Sequence, residues 1–146
     1  MIKLEFNPEN ARIGQELPNI KKIIDYKTYR RYNRLIGEIN PIHLNKKYAQ
    51  RLGFENIVVA GNYLFVHISD WFSNLAGKTG KIRKITLKFG NPVYIDEELT
   101  YEGKIADITK KDDSMVIVCD YIVKKNNDII TCKGKCFLEF NLKVRN

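Results

Sequence analysis

Apolar and polar residues alternate in the last third of the chain. Ile130, Cys132, Gly134, Cys136, Leu138 and Phe140 fall on one face of an extended strand, and Thr131, Lys133, Lys135 and Glu139 on the other. That period of two is the pattern of a half-buried strand. Runs of similar strand-forming composition occupy residues 81–89, 98–108, 114–124 and 129–142. Asn91-Pro92, residues 110–113 and Asn126-Asn127-Asp128 break them with side chains that tolerate bends or bond their own backbone. Consecutive strands joined by short turns predict an antiparallel meander.

The first half of the chain follows the helical period instead. Tyr26, Tyr29, Tyr32 and Ile36 recur at helical spacing behind Asp25, which can cap a helix over 26–36 and whose charge suits the positive end of its dipole. Gly14-Gln15-Glu16-Leu17-Pro18 reads as a turn into a short strand at 20–24. Asn45 and Gly53 bracket a short helix at 46–52. A third helix, 62–76, is apolar on nearly every side: Tyr63, Leu64, Phe65, Val66, Ile68, Trp71, Phe72, Leu75 and Ala76. A helix without a polar face must be enclosed. The prediction is one α+β domain over residues 1–146, an antiparallel sheet wrapped around a long buried helix.

Chemistry concentrates in Gly37-Glu38-Ile39-Asn40-Pro41-Ile42-His43. Pro41 lacks an N–H and pushes Asn40 out of the α region, so the first helix stops near Gly37. Glu38 and His43 then sit on a helix end and a tight loop, where a carboxylate and an imidazole can converge for acid–base work. His67, inside the apolar helix, reads as a core histidine with its polar atoms satisfied. Asp70, beside Trp71, reads as bonded to backbone or reaching the surface.

This loop and two later segments resemble the MaoC-like, (R)-specific enoyl-thioester hydratases and dehydratases of the hot dog fold. The family's Gly-Asp-x-Asn-Pro-x-His loop is matched by residues 37–43. Its apolar segment ending in His-Gly at the start of a long buried helix is matched by Ile57-Val58-Val59-Ala60-Gly61. Its Phe-x-x-Pro-Val-x-x-Gly-Asp link is similar to Phe89-Gly90-Asn91-Pro92-Val93-Tyr94-Ile95-Asp96-Glu97. The resemblance runs from about Gly14 to the C-terminus. It implies a hot dog fold and reversible hydration of a trans-2-enoyl thioester to the (R)-3-hydroxyacyl thioester, on coenzyme A or an acyl carrier protein, without metal or redox cofactor. It also implies a homodimer or higher oligomer, or a heteromer with a paralogous subunit.

Hydration of that kind needs a base for the water, an acid for the α-carbon and a donor for the carbonyl oxygen. The resemblance gives the base to Glu38, a share of the water and of proton delivery to His43, and the donor to the backbone N–H of Gly61. Asn40 and Ser69, the latter eight residues beyond the glycine, fall at supporting positions. Glutamate replaces the family's aspartate at 38, and alanine its histidine at 60. These departures motivate a second reading, a non-catalytic acyl-thioester-binding subunit of a heteromeric dehydratase. Thioester hydrolysis on the same fold is a third.

The formal net charge of +8 points to anionic partners. Lys78, Lys81, Arg83, Lys84 and Lys88 read as a solvated edge, with coenzyme A phosphates or an acidic carrier surface as the functional alternative; Arg30, Arg31 and Arg34 read as a solvated face. The aromatic residues fit the core and no RNA-binding signature stands out, so nucleic acid is not expected. Tyr63, Phe65, Trp71 and Phe72 could floor a short pocket or fill the core. Cys119, Cys132 and Cys136 lack the paired spacing of zinc sites and read as reduced core residues, the last two about 13 Å apart along one strand. With no apolar run of about 18 residues and no leader pattern, the expectation is a cytoplasmic protein without a membrane span.

Overall fold

The computed structural model describes residues 6–126 and 128–143. Its elements in chain order are β1 (Ile20–Ile23), α1 (Tyr26–Ile36), α2 (Lys46–Arg51), α3 (Gly61–Ala76), β2 (Gly80–Ile85), β3 (Lys88–Phe89), β4 (Glu98–Lys111), β5 (Ser114–Lys125) and β6 (Ile129–Asn141). The strands form one antiparallel sheet in the order β1-β4-β5-β6-β2, with β3 also pairing β6. β4, β5 and β6 are the expected meander. Of the turn expected at 126–128, Asn127 lies outside the described residues.

The sheet curls around α3, the hot dog arrangement. Tyr63, Leu64, Ile68, Trp71, Phe72 and Leu75 of the helix are buried among Leu99, Tyr101, Ile117, Tyr121, Leu138 and Phe140 of the strands. Each large apolar side chain so buried contributes about 1.5–3 kcal/mol relative to exposure. The Trp71 indole N–H donates to the Pro18 carbonyl at 3.2 Å, so its polar atom is also satisfied. Trp71 and Phe72 therefore fill the core. Phe65 does not: with Asn62, Val66 and Ser73 it forms an exposed stripe. The expectation of a helix enclosed on every side fails there, because the sheet of one chain covers only part of the cylinder.

The strand expected at 81–89 is broken. β2 ends at Ile85, and Thr86 turns inward over Gly134 of β6, where a β-carbon would lie 1.9 Å from the Thr86 carbonyl oxygen. That oxygen accepts from the Tyr121 hydroxyl at 2.7 Å, and the Thr86 hydroxyl accepts from the Lys135 N–H. These bonds replace regular pairing before β3 resumes it.

All three cysteines are buried free thiols, as expected of core residues. The basic edge is solvated: Lys81 and Arg83 share Glu139, and Lys84 lies over the Phe137 ring. Among the described residues no helix is long and apolar enough to cross a membrane.

One link holds the ground under the site. The Val93 carbonyl accepts from Val59 N–H at 2.8 Å, Val58 bridges to Tyr94, and the Ile24 N–H donates to the Glu97 carbonyl at 3.0 Å. The Glu97 carboxylate takes the Tyr94 N–H and the buried Lys125 ammonium, which also lies over the Tyr94 ring. A buried cation is tolerated when it is paired and bonded in this way. The link thereby fixes the segment before α3 relative to the start of α1.

Candidate active site

The loop after α1 is shaped by its own short side chains. Gly37 closes the helix in the left-handed conformation at φ +70°, where its N–H reaches the Asn33 carbonyl. Glu38 Oε1 then accepts from the N–H groups of Ile39 and Asn40 at 3.0 and 2.9 Å. Asn40 Oδ1 accepts from Ile42 N–H at 3.2 Å and caps the single turn Pro41–His43. Asn40 thus sets the path of the turn that carries His43. Glu38 Oε2 is left uncommitted by the loop.

His43 is half-buried, and its Nδ1 lies 2.7 Å from the Val58 carbonyl oxygen. A carbonyl only accepts, so Nδ1 carries the hydrogen and the neutral ring presents the lone pair of Nε2. Glu38 and His43 line one cavity of about 360 Å³ together with Tyr26, Tyr29, Arg30, Asn33, Arg34 and Leu44. The two residues read from the sequence as an acid–base pair share this space without bonding each other directly.

Tyr29 joins the loop to α3. Its hydroxyl accepts from the Ala60 N–H at 3.0 Å and donates to the His43 carbonyl at 3.2 Å, with the Val58 carbonyl at 3.5 Å. Burial raises its pKa, against the Asn33 side chain and the Ala60 N–H, so it stays a neutral donor. The hydroxyl is what brings His43 next to the start of α3. That start carries no side-chain cap, because Ala60 has no oxygen to offer, and Gly61 N–H is one of the donors a helix leaves unpaired at its positive end. The space a Gly61 side chain would fill is taken by the Phe89 ring, 2.5 Å from an ideal β-carbon.

Ser69 lies two turns further along α3, half-buried, and does not line this cavity. The cavity also includes residues that the sequence did not mark for the site. Arg30 and Arg34, read as a solvated face, border it, and Asn33 is buried in its wall. The inward side of α1 is Tyr29 and Asn33 with half-buried Tyr32, whereas Tyr26 and Ile36 are exposed. Asparagine one turn after an inward tyrosine was the available signal, masked by the stronger aromatic spacing.

His67 is half-buried outside the cavity, its ring 4.4 Å from that of Tyr63 and its Nδ1 3.4 Å from the Tyr101 hydroxyl. Asp70, one turn on, is exposed and pairs with Lys22 at 3.6 Å. Burial lowers the His67 pKa from 6.5 to about 4, with Lys22 lowering it further and Asp70 opposing. The folded state therefore holds this ring neutral where the unfolded chain would protonate it. Stability is full above pH 6.5 and is lost as pH falls toward 4. Thermal melts across that window should show a falling midpoint, and His67→Gln should flatten the slope.

A family model described as MaoC like domain matches residues 9–127. The fatty acid synthase beta subunit TOXC of Cochliobolus carbonum is 30% identical over 70 residues, 47% of this chain and 3% of that protein's length. The chain thus spans a small fraction of the curated relative it matches. Among solved structures, the (R)-hydratase from A. caviae involved in PHA biosynthesis superposes with a TM-score of 0.78 at 20% identity, covering 89% of this chain and 97% of that one. The HadBC (3R-hydroxyacyl-ACP dehydratase) complex from Mycobacterium tuberculosis gives 0.69 at 14% identity, covering 94% and 99%. At those identities the likeness is one of fold.

Proposed function

The chain belongs to the MaoC-like domain family, and from that premise we propose that it is a hydro-lyase interconverting trans-2-enoyl and (R)-3-hydroxyacyl thioesters. The observation that carries this reading is the shared cavity of Glu38 and His43, tied through Tyr29 to the uncapped start of α3. A water held there gives one hydrogen to Glu38 Oε2 and bonds the other to His43 Nε2. Its oxygen adds to C3 of the enoyl group, and the displaced electron pair moves onto the thioester oxygen, where Gly61 N–H receives it. Glu38 passes its proton to C2 and is restored. The second hydrogen stays on the new hydroxyl. In the reverse direction the same groups remove water.

Arg30 and Arg34 at the rim suit a phosphate-bearing thiol carrier, coenzyme A or an acyl carrier protein. The exposed Phe65, Val66 and Phe89 support assembly into at least a dimer, with itself or with a paralogous subunit. One observation favours the second reading, a non-catalytic acyl-thioester-binding subunit: Glu38 Oε1 is spent on its own loop.

The purified chain should consume a short trans-2-enoyl-CoA, read as loss of the conjugated enoyl absorbance, and release the (R)-alcohol. Silence with both coenzyme A and carrier-protein thioesters would remove the reading. Activity that returns only with a co-purifying paralogous chain would transfer it to the second.

A further inference from the structure

We propose that the basic surface of α1 and α2 beside the catalytic cavity docks an acidic carrier protein, which delivers the enoyl group to Glu38 and His43 on a phosphopantetheine arm. The inference rests on the hydratase reading and fixes the thiol carrier, which that reading leaves open between coenzyme A and a protein.

The positive charge of the chain is concentrated at this place. Residues 26–54 hold seven cations, Lys27, Arg30, Arg31 and Arg34 on α1 and Lys46, Lys47 and Arg51 on α2, against one acid, Glu38, which leaves +6 of the formal net charge of +8. All seven are exposed, and no ion pair among the described residues involves any of them. The sheet is built differently: Lys21 meets Glu98, Lys124 meets Glu102 and Lys135 meets Asp120. An ordinary solvated surface intersperses both signs in that way, because like charges repel and weaken the compact state.

The cations also stand where a docked carrier would have to sit. Tyr26, Arg30 and Arg34 line the cavity from α1, and Leu44 lines it two residues before α2 begins. A protein seated on both helices holds its arm over the space shared by Glu38 and His43. Among the cations lie large apolar side chains: Leu35 at the end of α1, Ile39 in the catalytic loop and Leu52 after α2 are 79%, 88% and 56% exposed.

Coenzyme A accounts for only part of this surface. Its phosphates come on one nucleotide, which Arg30 and Arg34 at the rim suffice to meet. It makes no use of cations spread over two helices, Lys27 and Arg34 alone being about 10 Å apart along α1, or of exposed leucine and isoleucine among them. An acidic protein face uses both, its carboxylates steered by the cations and its apolar side chains packed on Leu35, Ile39 and Leu52. Single-stranded nucleic acid would use the cations but calls for aromatic faces to stack on, whereas the most exposed side chains here are aliphatic.

The test offers one trans-2-butenoyl group on coenzyme A and on the phosphopantetheine of an acidic carrier protein. Three chains are compared: the native one, the combined Lys27→Gln, Lys46→Gln and Lys47→Gln variant, and a control combining Lys81→Gln, Arg83→Gln and Lys84→Gln on β2, which removes the same formal charge elsewhere. The native chain should favour the carrier-borne group by about tenfold or more in kcat/KM, and the preference should shrink as salt rises. The helix variant should lose about tenfold or more on that substrate through KM, with kcat within about twofold, and stay within about threefold of native on the coenzyme A substrate. The β2 control should stay within about threefold of native on both. Absence of a preference for the carrier, or equal losses in the two variants, overturns the proposal and leaves the hydratase reading standing. A native chain without turnover on either substrate removes the hydratase reading, and docking is then read by titrating the butanoyl-carrier protein. Affinity that falls about tenfold in the helix variant alone supports the docking surface, and absent or unchanged binding overturns it. A single-stranded RNA oligonucleotide bound as tightly as the carrier, and released by the same three substitutions, also overturns it and assigns the surface to nucleic acid.

Discussion

Alanine at position 43 should leave a folded protein whose turnover falls by about 10²–10⁴-fold, the range for loss of a positioned acid–base group. The loop does not depend on the imidazole for its shape. His43 N–H bonds the Asn40 carbonyl, Asn40 caps the turn, and Tyr29 bonds the backbone carbonyl of residue 43, all of which survive the substitution. What is lost structurally is one hydrogen bond, Nδ1–H to Val58, worth about 1 kcal/mol. The Val58 oxygen keeps the Tyr29 hydroxyl at 3.5 Å as a second neighbour. A small shift in melting temperature should therefore accompany a large loss of rate. His43→Asn sharpens the contrast, since its amide can still donate to Val58 but has nothing at the place of Nε2. It should be as inactive as alanine and more stable. Native turnover in either variant would reject the assignment of His43.

The parts of this site that were legible in the sequence are those determined over a few residues. Asp25, Asn40 and Asn45 each accept from a nearby N–H group, so the ends of the helices and the turn carrying His43 could be read from residue type and position. The strands were equally plain because every second residue meets the core. What escaped depends on partners distant in the chain. Thr86 breaks its strand because Gly134, 48 positions later, leaves room for its carbonyl, and no local pattern announces that. Tyr26 and Ile36 have the spacing of an inward stripe, yet the surface that α1 meets, Tyr63 and the segment before α3, lies rotated toward Tyr29 and Asn33. The same blindness hid the Tyr29 hydroxyl. Spacing marks a tyrosine as inward, but only the fold brings its oxygen between Ala60 N–H and the His43 carbonyl.

Glutamine at position 38 should abolish turnover to a similar extent, about 10²–10⁴-fold, with little change in stability. Its amide oxygen can still accept from Ile39 and Asn40, so the loop keeps its shape, while its nitrogen cannot take a proton from water. Glu38→Asp asks a finer question. Shortening the side chain by one methylene, roughly 1.5 Å, leaves a carboxylate that must either stay with the two amides or reach for the water. If the glutamate is the adapted base, the shorter side chain costs on the order of 100-fold, or about 2.7 kcal/mol of transition-state stabilisation. The opposite result would be as informative. A chain that is silent with glutamate and active with aspartate would mean that Glu38 serves its loop amides alone, and that the cavity holds an acyl thioester for a partner subunit instead of reacting with it. Rates of the native, Glu38→Asp and Glu38→Gln chains on one enoyl thioester, with melting temperatures as the control for folding, separate the two.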